Sequence, residues 1–157
     1  MKTNYELLNK TLESLILDNE YDMTILANTS ALIFDSIENL NWVGFYILKD
    51  NALHLGPFVG HPACIRIPLD KGVCGACITN KATIVVKNVH EFKGHIACDS
   101  ASNSEICIPL YLNNKIVGLL DIDSPICERF DDFDKNGLEK AVKIIETELS
   151  KSKKLIF

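Results

Sequence analysis

Cys98 is the first residue whose surroundings could support chemistry. It lies within His95-Ile96-Ala97-Cys98-Asp99-Ser100, a segment of small and polar residues that we predict to be a loop. A cysteine there can expose its sulfur. It reacts as a thiolate, a form that loop amides, a helix N-terminus or a cation such as His95 would favour. An inert, half-buried thiol is the alternative interpretation of Cys98.

Two acidic residues end an apolar segment further along the chain. Asp121 and Asp123 follow Leu119-Leu120, and a spacing of two residues places both carboxylates on one face of a strand. They could belong to a solvated turn at Asp123-Ser124-Pro125. Alternatively they could line a pocket, where burial and repulsion raise the pKa of one carboxyl group. Such a group can donate a proton near neutral pH.

Glu105 could join these acids, depending on the strand register. Asn113-Asn114 has the composition of a hairpin turn, and a regular two-residue turn would pair Glu105 with Ile122. That pairing places Glu105 on the face opposite to the two aspartates. A longer loop or a β-bulge restores the shared face, and Pro109 is a plausible place for one because proline cannot donate to a sheet ladder.

The remaining cysteines include the pair Cys74-Gly75-Ala76-Cys77. Such a pair can be redox-active or can be half of a zinc site. A structural zinc site normally needs a second paired unit, which the sequence lacks, so we predict no metal. A thioredoxin-like motif should follow a strand in a βαβ unit, whereas the strands here are predicted to be antiparallel. Cys107 and Cys127 are interpreted as small packing residues.

Two aromatic residues share one face of a predicted strand. Trp42 and Tyr46 are four residues apart with Gly44 between them, so both rings point to the same side and the glycine would leave an open slot. An ordinary aromatic core explains the pair equally well. An aromatic wall beside carboxylates would suit a small zwitterion with an apolar or cationic end.

The elements that must position these residues form an α+β pattern. Thr3 and Glu6 have capping-box spacing, and Asp22 is the expected N-cap of a second helix. Residues 88–104 show no regular period, and long irregular segments are often functional. Helices are predicted at 3–17, 23–37 and 132–151, a short helical segment at 73–79, and strands at 42–48, 53–58, 64–67, 83–86, 105–112 and 115–123. Terminal helices around clustered strands predict an antiparallel sheet with helices packed on one face.

Length and composition exclude several classes of protein. The 157 residues fit a single domain, 1–157. Sixteen basic and 21 acidic residues give a net charge of −5, which argues against a nucleic-acid partner. No apolar segment approaches the ~20 residues needed to cross a bilayer, and no signal-peptide core is present. We therefore expect a cytoplasmic protein without a membrane partner, in which the six cysteines are thiols rather than structural disulfides.

Several segments together resemble the free methionine-(R)-sulfoxide reductase family, which is built on a GAF domain. The segment Gly94-His95-Ile96-Ala97-Cys98-Asp99-Ser100-Ala101-Ser102-Asn103-Ser104-Glu105 is the most specific of them. The others are Asn41-Trp42-Val43-Gly44-Phe45-Tyr46, Leu55-Gly56-Pro57-Phe58, Pro62-Ala63-Cys64-Ile65-Arg66-Ile67-Pro68, Gly72-Val73-Cys74-Gly75 and Leu120-Asp121-Ile122-Asp123-Ser124-Pro125. The resemblance implies a GAF fold with a central antiparallel sheet of about six strands and terminal helices on one face.

The resemblance also implies roles for individual cysteines. Cys98 would attack the sulfoxide and become a sulfenic acid, which a second thiol converts to a disulfide. Cys64 would be the usual resolving residue and Cys74 the second choice. External thioredoxin, supplied by NADPH and thioredoxin reductase, would reduce the disulfide, and no cofactor would be bound. Cys77 is a departure from the family, whose members commonly have a small residue there.

Other implied roles concern the substrate. Glu105, Asp121 and Asp123 would bind it and activate the sulfoxide, with Trp42 and Tyr46 as pocket walls. We further expect backbone N–H groups near Ile96, Ala97 and Cys98 to hold the substrate carboxylate. An enclosed site that pairs both charged ends would reject peptides. The resemblance suggests a homodimer. The alternative function is a stand-alone GAF domain that binds or senses a small molecule.

Overall fold

A six-stranded antiparallel sheet organises the part of the chain that the computed structural model describes, residues 2–94 and 100–152. The strand order is β3-β2-β1-β6-β5-β4. The helices are α1 (Tyr5–Ile16), α2 (Asp22–Ser36), α3 (Gly72–Asn80) and α4 (Asp132–Lys151), with a short 3-10 helix at Val89–Glu91. The strands are β1 (Trp42–Lys49), β2 (Ala52–Gly60), β3 (Arg66–Pro68), β4 (Ile84–Val86), β5 (Ser104–Leu112) and β6 (Lys115–Ser124). No helix in this part of the chain is both long and apolar enough to span a membrane.

Strand β1 shows that the sheet is buried on both faces, because its side chains contribute to two separate cores. In β1, Val43, Phe45 and Ile47 belong to a large core that includes the buried faces of α1, α2 and α4. Trp42 and Tyr46 point the other way, into a second core with residues of α3. The predicted α+β class with the terminal helices on one face is confirmed. The opposite face, covered by α3, is where the candidate site residues lie.

The N-termini of the first two helices differ from the prediction. Asn4, not Thr3, caps α1, and its side chain accepts a hydrogen bond from the Leu7 backbone N–H at 3.0 Å. Asp22 is the first residue of α2 rather than its N-cap. Asp22 is fully buried, so its side chain is part of the packed interior instead of the helix end.

The N-terminus of α4 is fixed by a capping box. The Asp131 side chain accepts from the Asp134 backbone N–H at 2.9 Å, and the Asp134 carboxylate accepts from the Asp131 N–H at 3.1 Å. Asp134 also accepts from the Tyr5 hydroxyl at 2.7 Å and pairs with Arg129 at 3.2 Å. These bonds join the first and last helices on the same side of the sheet.

The hairpin of β5 and β6 has the predicted two-residue turn and the predicted irregularity. Asn113 and Asn114 both have positive φ, 51° and 62°, as a type I′ turn requires. The register shifts between Leu110 and Tyr111, not at Pro109, and leaves Val117 as the extra residue of β6. Gly118 adjoins this bulge and lies so close to β1 that an added Cβ would be 2.3 Å from the Tyr46 carbonyl oxygen.

The segment before β3 also differs from the prediction. The predicted strand 64–67 begins instead at Arg66, so Cys64 lies in the loop between β2 and β3. A loop residue can approach the sheet face from above, which a residue held in a strand ladder cannot do.

Candidate active site

The bulge between Leu110 and Tyr111 places acids and a thiol side by side on the sheet. Beyond it, Glu105 pairs with Asp123 and Cys107 pairs with Asp121 across β5 and β6. Asp123 and Asp121 in turn lie opposite Trp42 and Gly44 of β1. All three predicted acids therefore share the face covered by α3. Glu105 and Asp121 are each only 6% exposed, whereas Asp123 is partly exposed.

Glu105 and Asp121 form a hydrogen-bonded carboxyl pair. Burial, followed by the charges of Asp121 and Asp123 and the hydrogen bond with Asp121, raises the pKa of Glu105 well above its usual value. Burial also raises the pKa of Asp121, although hydrogen bonds from Glu105, Cys107 and Cys74 oppose that rise. Glu105 is thus the proton donor within the pair, and it keeps its proton at pH values where an exposed glutamate is ionised.

Helix α3 brings Cys74 onto this pair. The Cys74 thiol lies 3.5 Å from Asp121 Oδ2 and 3.8 Å from Glu105 Oε1. The second thiol, Cys107, lies 3.3 Å from Glu105 Oε1 and 3.4 Å from Asp121 Oδ1. The two sulfurs are 3.6 Å apart. Close packing of α3 explains this approach, since an added Cβ on Gly75 would be 2.6 Å from the Leu69 carbonyl oxygen.

The acids disfavour thiolates at both positions. The hydrogen bond from Cys107 lowers the pKa of Cys74, but burial and the charges of the neighbouring acids outweigh it and leave that pKa well above the usual value. Burial, with further contributions from Cys74 and Asp121, raises the pKa of Cys107. Cys77, one helical turn along, is fully buried and has its pKa raised to about 12, chiefly by burial. These three thiols are poor nucleophiles at neutral pH.

Three aromatic rings stack at the edge of the site. Trp42 stacks on Tyr46 at 5.9 Å and on Phe58 at 5.3 Å between ring centroids. The slot expected at Gly44 is not open, because the Trp42 ring fills it. An added Cβ on Gly44 would be 2.6 Å from Trp42 Cη2 and 2.4 Å from Phe58 Cβ. Glycine is needed there so that the indole can lie flat on the strand.

Trp42 and Tyr46 also bind the loop that contains Cys64. Trp42 Nε1 donates to the His61 carbonyl oxygen at 3.1 Å, and the Tyr46 hydroxyl donates to the Cys64 carbonyl oxygen at 2.9 Å. Cys64 is disulfide-bonded, whereas Cys74, Cys77, Cys107 and Cys127 are free thiols. The loop is thereby anchored over the face of the sheet that holds the acids.

A polar network fixes the ends of β5 and β6 next to the acids. Ser124 Oγ donates to the Asn39 carbonyl oxygen at 2.6 Å, and Ser104 Oγ donates to the Ile126 carbonyl oxygen at 2.6 Å. Asn103 donates to the Pro125 carbonyl oxygen at 2.7 Å and contacts His90 Nε2 at 2.9 Å. Because Ser104 and Ser124 are neighbours of Glu105 and Asp123, these bonds hold the two acids in register.

The predicted residues Ile96, Ala97 and Cys98 lie outside the described part of the chain. Cys107 is the residue that sequence reasoning missed, since it was interpreted as packing. Its spacing of two from Glu105 was the available signal, because i and i+2 share a strand face. The described residues that could hold a metal ion are Cys74, Glu105, Cys107 and Asp121, whose ligand atoms all lie within 4.8 Å of one another.

Comparison with known proteins identifies similar sequences and structures. The GAF domain family model matches residues 22–149. The free methionine-R-sulfoxide reductase of Escherichia coli is 46% identical over 146 residues, which cover 93% of this chain and 88% of that protein. The structure of reduced Staphylococcus aureus fRMsr has a TM-score of 0.92 and 56% identity, covering 94% of this chain and 96% of the other.

A third relative was solved with a ligand. The free methionine-R-sulfoxide reductase of Neisseria meningitidis, in complex with its substrate, has a TM-score of 0.90 at 36% identity and covers 95% of this chain and 89% of its own. Matches of this extent and identity, together with the match to the GAF domain model, show which family this chain belongs to. The chain belongs to the GAF-domain family of free methionine-R-sulfoxide reductases.

Proposed function

We propose that this protein reduces free L-methionine-(R)-sulfoxide to L-methionine, with Cys98 as the nucleophile. The relatives named for this activity support the substrate. The observation that most favours the chemistry is the buried pair of Glu105 and Asp121, in which burial and the neighbouring Asp121 raise the pKa of Glu105. A sulfoxide oxygen is a poor leaving group until it is protonated or strongly hydrogen-bonded, and a neutral carboxylic acid supplies that proton.

The first half-reaction reduces the sulfoxide and oxidises Cys98. The Cys98 thiolate attacks the methionine sulfur and forms an S–S bond, while the thiol proton and the Glu105 proton go to the sulfoxide oxygen, which leaves as water. A water molecule then attacks the Cys98 sulfur, the S–S bond breaks, and Glu105 regains a proton. The net change converts one thiol and one sulfoxide into one sulfenic acid and one thioether. Methionine leaves as the reduced product, and Cys98 is oxidised to the sulfenic acid.

Cys64 is the proposed resolving residue. Its thiol condenses with the Cys98 sulfenic acid, releasing water and forming a disulfide. Two observations support this choice over Cys74: Cys64 is the disulfide-bonded residue among the described cysteines, and the Cys74 thiol is held neutral between acids. Thioredoxin then reduces the disulfide by thiol–disulfide exchange and becomes oxidised itself.

The proposed site binds both charged ends of the substrate amino acid. The partly exposed Asp123 pairs with the ammonium group, and backbone N–H groups of Ile96 and Ala97 hold the carboxylate. Trp42 and Tyr46 form the apolar wall and position the Cys64 loop. A peptide-bound methionine sulfoxide lacks these free ends, so the site would leave its own polar groups unpaired and reject it.

A coupled assay tests the activity. The full-length protein, thioredoxin, thioredoxin reductase and NADPH are mixed with free L-methionine-(R)-sulfoxide, with the S epimer, or with a peptide-bound sulfoxide. NADPH oxidation with the first substrate alone is the expected result. Binding of the free sulfoxide without turnover would instead favour a GAF sensor. Light scattering on the same preparation tests the expected homodimer.

A further inference from the structure

We propose that Cys74, Glu105, Cys107 and Asp121 form a zinc-binding site within the candidate active site, which we call the thiol–carboxylate cluster. The four side chains come from three elements, α3, β5 and β6, that converge on one point of the sheet. Each is at least nine-tenths buried, with exposures of 0 to 6%. They contribute two sulfur and two carboxylate ligands, a set that zinc accepts.

The distances between these atoms match a tetrahedral zinc site. With Zn–S near 2.3 Å and Zn–O near 2.0–2.2 Å, tetrahedral geometry gives edges of about 3.8 Å between two sulfurs and about 3.5 Å between sulfur and oxygen. The observed distance between the two sulfurs is 3.6 Å. Glu105 Oε1 lies 3.3 Å from the Cys107 sulfur and 3.8 Å from the Cys74 sulfur. Asp121 presents Oδ1 to Cys107 at 3.4 Å and Oδ2 to Cys74 at 3.5 Å. One ligand atom from each residue gives a set within 4.8 Å, and an ion at the centre would require the Asp121 carboxylate to turn one oxygen towards both sulfurs.

The chemical nature of the ligands selects the metal. Magnesium and calcium prefer six or more oxygen ligands, and the cluster offers only two carboxyl groups beside two soft sulfurs. Sulfur ligands in a tetrahedral arrangement favour zinc. A fully deprotonated cluster with Zn²⁺ would have a formal charge of −2, the same as the structural zinc sites built from four cysteine thiolates. Each thiol, and the protonated Glu105 carboxyl group, gives up its proton to the solvent when it binds the metal.

Occupancy would block the proposed reaction, and this part of the inference depends on the proposed function. Glu105 would then be a metal ligand and could not donate a proton to a sulfoxide. Cys107 would be a ligand of the metal but is neither the proposed nucleophile nor the resolving thiol, although it donates to Glu105 and Asp121. The effect of zinc on a Cys107 variant is therefore compared with the metal-free rate of that same variant.

Cobalt binding tests the site without reference to turnover. Reduced full-length protein with the additional changes Cys64→Ser and Cys98→Ser is titrated with Co²⁺, so that the two reaction thiols cannot contribute. We expect one ion per chain, a sulfur-to-cobalt charge-transfer band, intense visible d–d bands typical of a tetrahedral site, and displacement by Zn²⁺. Absence of these bands, or bands typical of six-coordinate cobalt, would overturn the proposal.

A matched pair of thiol variants locates the ion. Cys107→Val should weaken Co²⁺ binding by at least about 100-fold, since even outer-shell changes cost 10- to 100-fold. Cys77→Ala, which removes a buried thiol outside the cluster, should change the affinity by less than about 3-fold. Cys107→Ser serves if the valine variant does not fold, as judged by circular dichroism. Equal binding by the folded Cys107 variants would overturn the assignment.

Inhibition is measured separately in protein with Cys64 and Cys98 intact. If the coupled assay shows turnover, Zn²⁺ should inhibit wild type and Cys77→Ala alike, and inhibit Cys107→Val far less. If no turnover occurs with any sulfoxide, the proposed function fails while the cobalt titration still decides the metal site. Equal inhibition of all three proteins would show that zinc acts elsewhere.

Discussion

Glu105 faces Asp123 across the β5–β6 ladder because of a single extra residue, Val117, near the far end of the hairpin. Without that bulge, the two-residue turn would pair Glu105 with Ile122. The Glu105 carboxyl group would then point to the other face of the sheet, into the core that contains α1, α2 and α4. A single inserted residue, about five residue pairs from Glu105, therefore places Glu105 on the same sheet face as Asp121 and Asp123. The proposed chemistry and the proposed metal site both depend on this register.

Two cysteine variants test the proposed order of thiol reactions. Cys98→Ser should abolish methionine formation, because the sulfur proposed to attack the substrate is removed and the raised pKa values of Cys74, Cys77 and Cys107 make them poor nucleophiles. Cys64→Ser should release one methionine per chain in a single-turnover experiment and then recycle slowly in the coupled assay. Quantifying methionine by mass spectrometry distinguishes the two. Normal recycling of Cys64→Ser would show that Cys74 or another thiol resolves the sulfenic acid.

Glu105→Gln should change how stability depends on pH. The pKa of Glu105 is raised in the folded state, so its contribution to stability is fully present below the unfolded value near 4.5 and is lost as pH rises towards the folded value. The wild type should therefore lose stability relative to Glu105→Gln as the pH rises above the unfolded value near 4.5. Urea unfolding at several pH values measures the difference.

The matched control for that experiment is Glu128→Gln, which changes an acid whose side chain is 69% exposed. Its stability difference from wild type should be nearly independent of pH over the same range. A pH-independent difference for Glu105→Gln as well would contradict a raised pKa in the folded protein.

The free thiols should differ sharply in their reactivity. Cys127 is exposed, whereas Cys74, Cys77 and Cys107 are buried, and their raised pKa values leave almost no thiolate. Under native conditions, iodoacetamide should modify Cys127 and leave these three unlabelled over the same period. Peptide mapping by mass spectrometry gives the result, and protein unfolded in urea provides the control in which all four react. Rapid native labelling of Cys107 would mean that the cluster is open to solvent.

Tyr5→Phe should destabilise the helical side of the sheet. The buried Tyr5 hydroxyl donates to Asp134 at 2.7 Å, and its loss leaves a buried carboxylate with one partner fewer, at a cost of about 1–3 kcal/mol. Tyr111→Phe removes an exposed hydroxyl that donates to the Lys81 carbonyl oxygen and should cost less than about 0.5 kcal/mol. Chemical denaturation of both variants tests this, and equal effects would contradict it.

The sequence was sufficient for features that depend on local pattern. Asn113-Asn114 predicted the hairpin because few residues tolerate two successive positive φ angles, and the apolar period of α4 predicted its full length. The sequence indicated that the β5–β6 hairpin needs a bulge to bring the three acids to one face. The position of that bulge, next to Gly118, depends on close packing against β1, which no local pattern encodes.

Other features depend on contacts between distant segments. Cys107 meets Cys74 only because α3 packs closely at Gly75, 32 residues earlier in the chain, so its place between the acids was missed. The open slot predicted at Gly44 failed for a similar reason: the Trp42 ring folds back along its own strand, and Phe58 of β2 completes the stack. Asn4 rather than Thr3 caps α1 because the Asn4 side chain accepts from the Leu7 backbone N–H.

The two cores on opposite faces of the sheet bear on how such a domain can evolve. The helices that bury the larger core pack on the face opposite to the thiol–carboxylate cluster. A substitution confined to the cluster therefore leaves the contacts of that larger core in place, and the chemistry of the site can change while the helical layer stays folded.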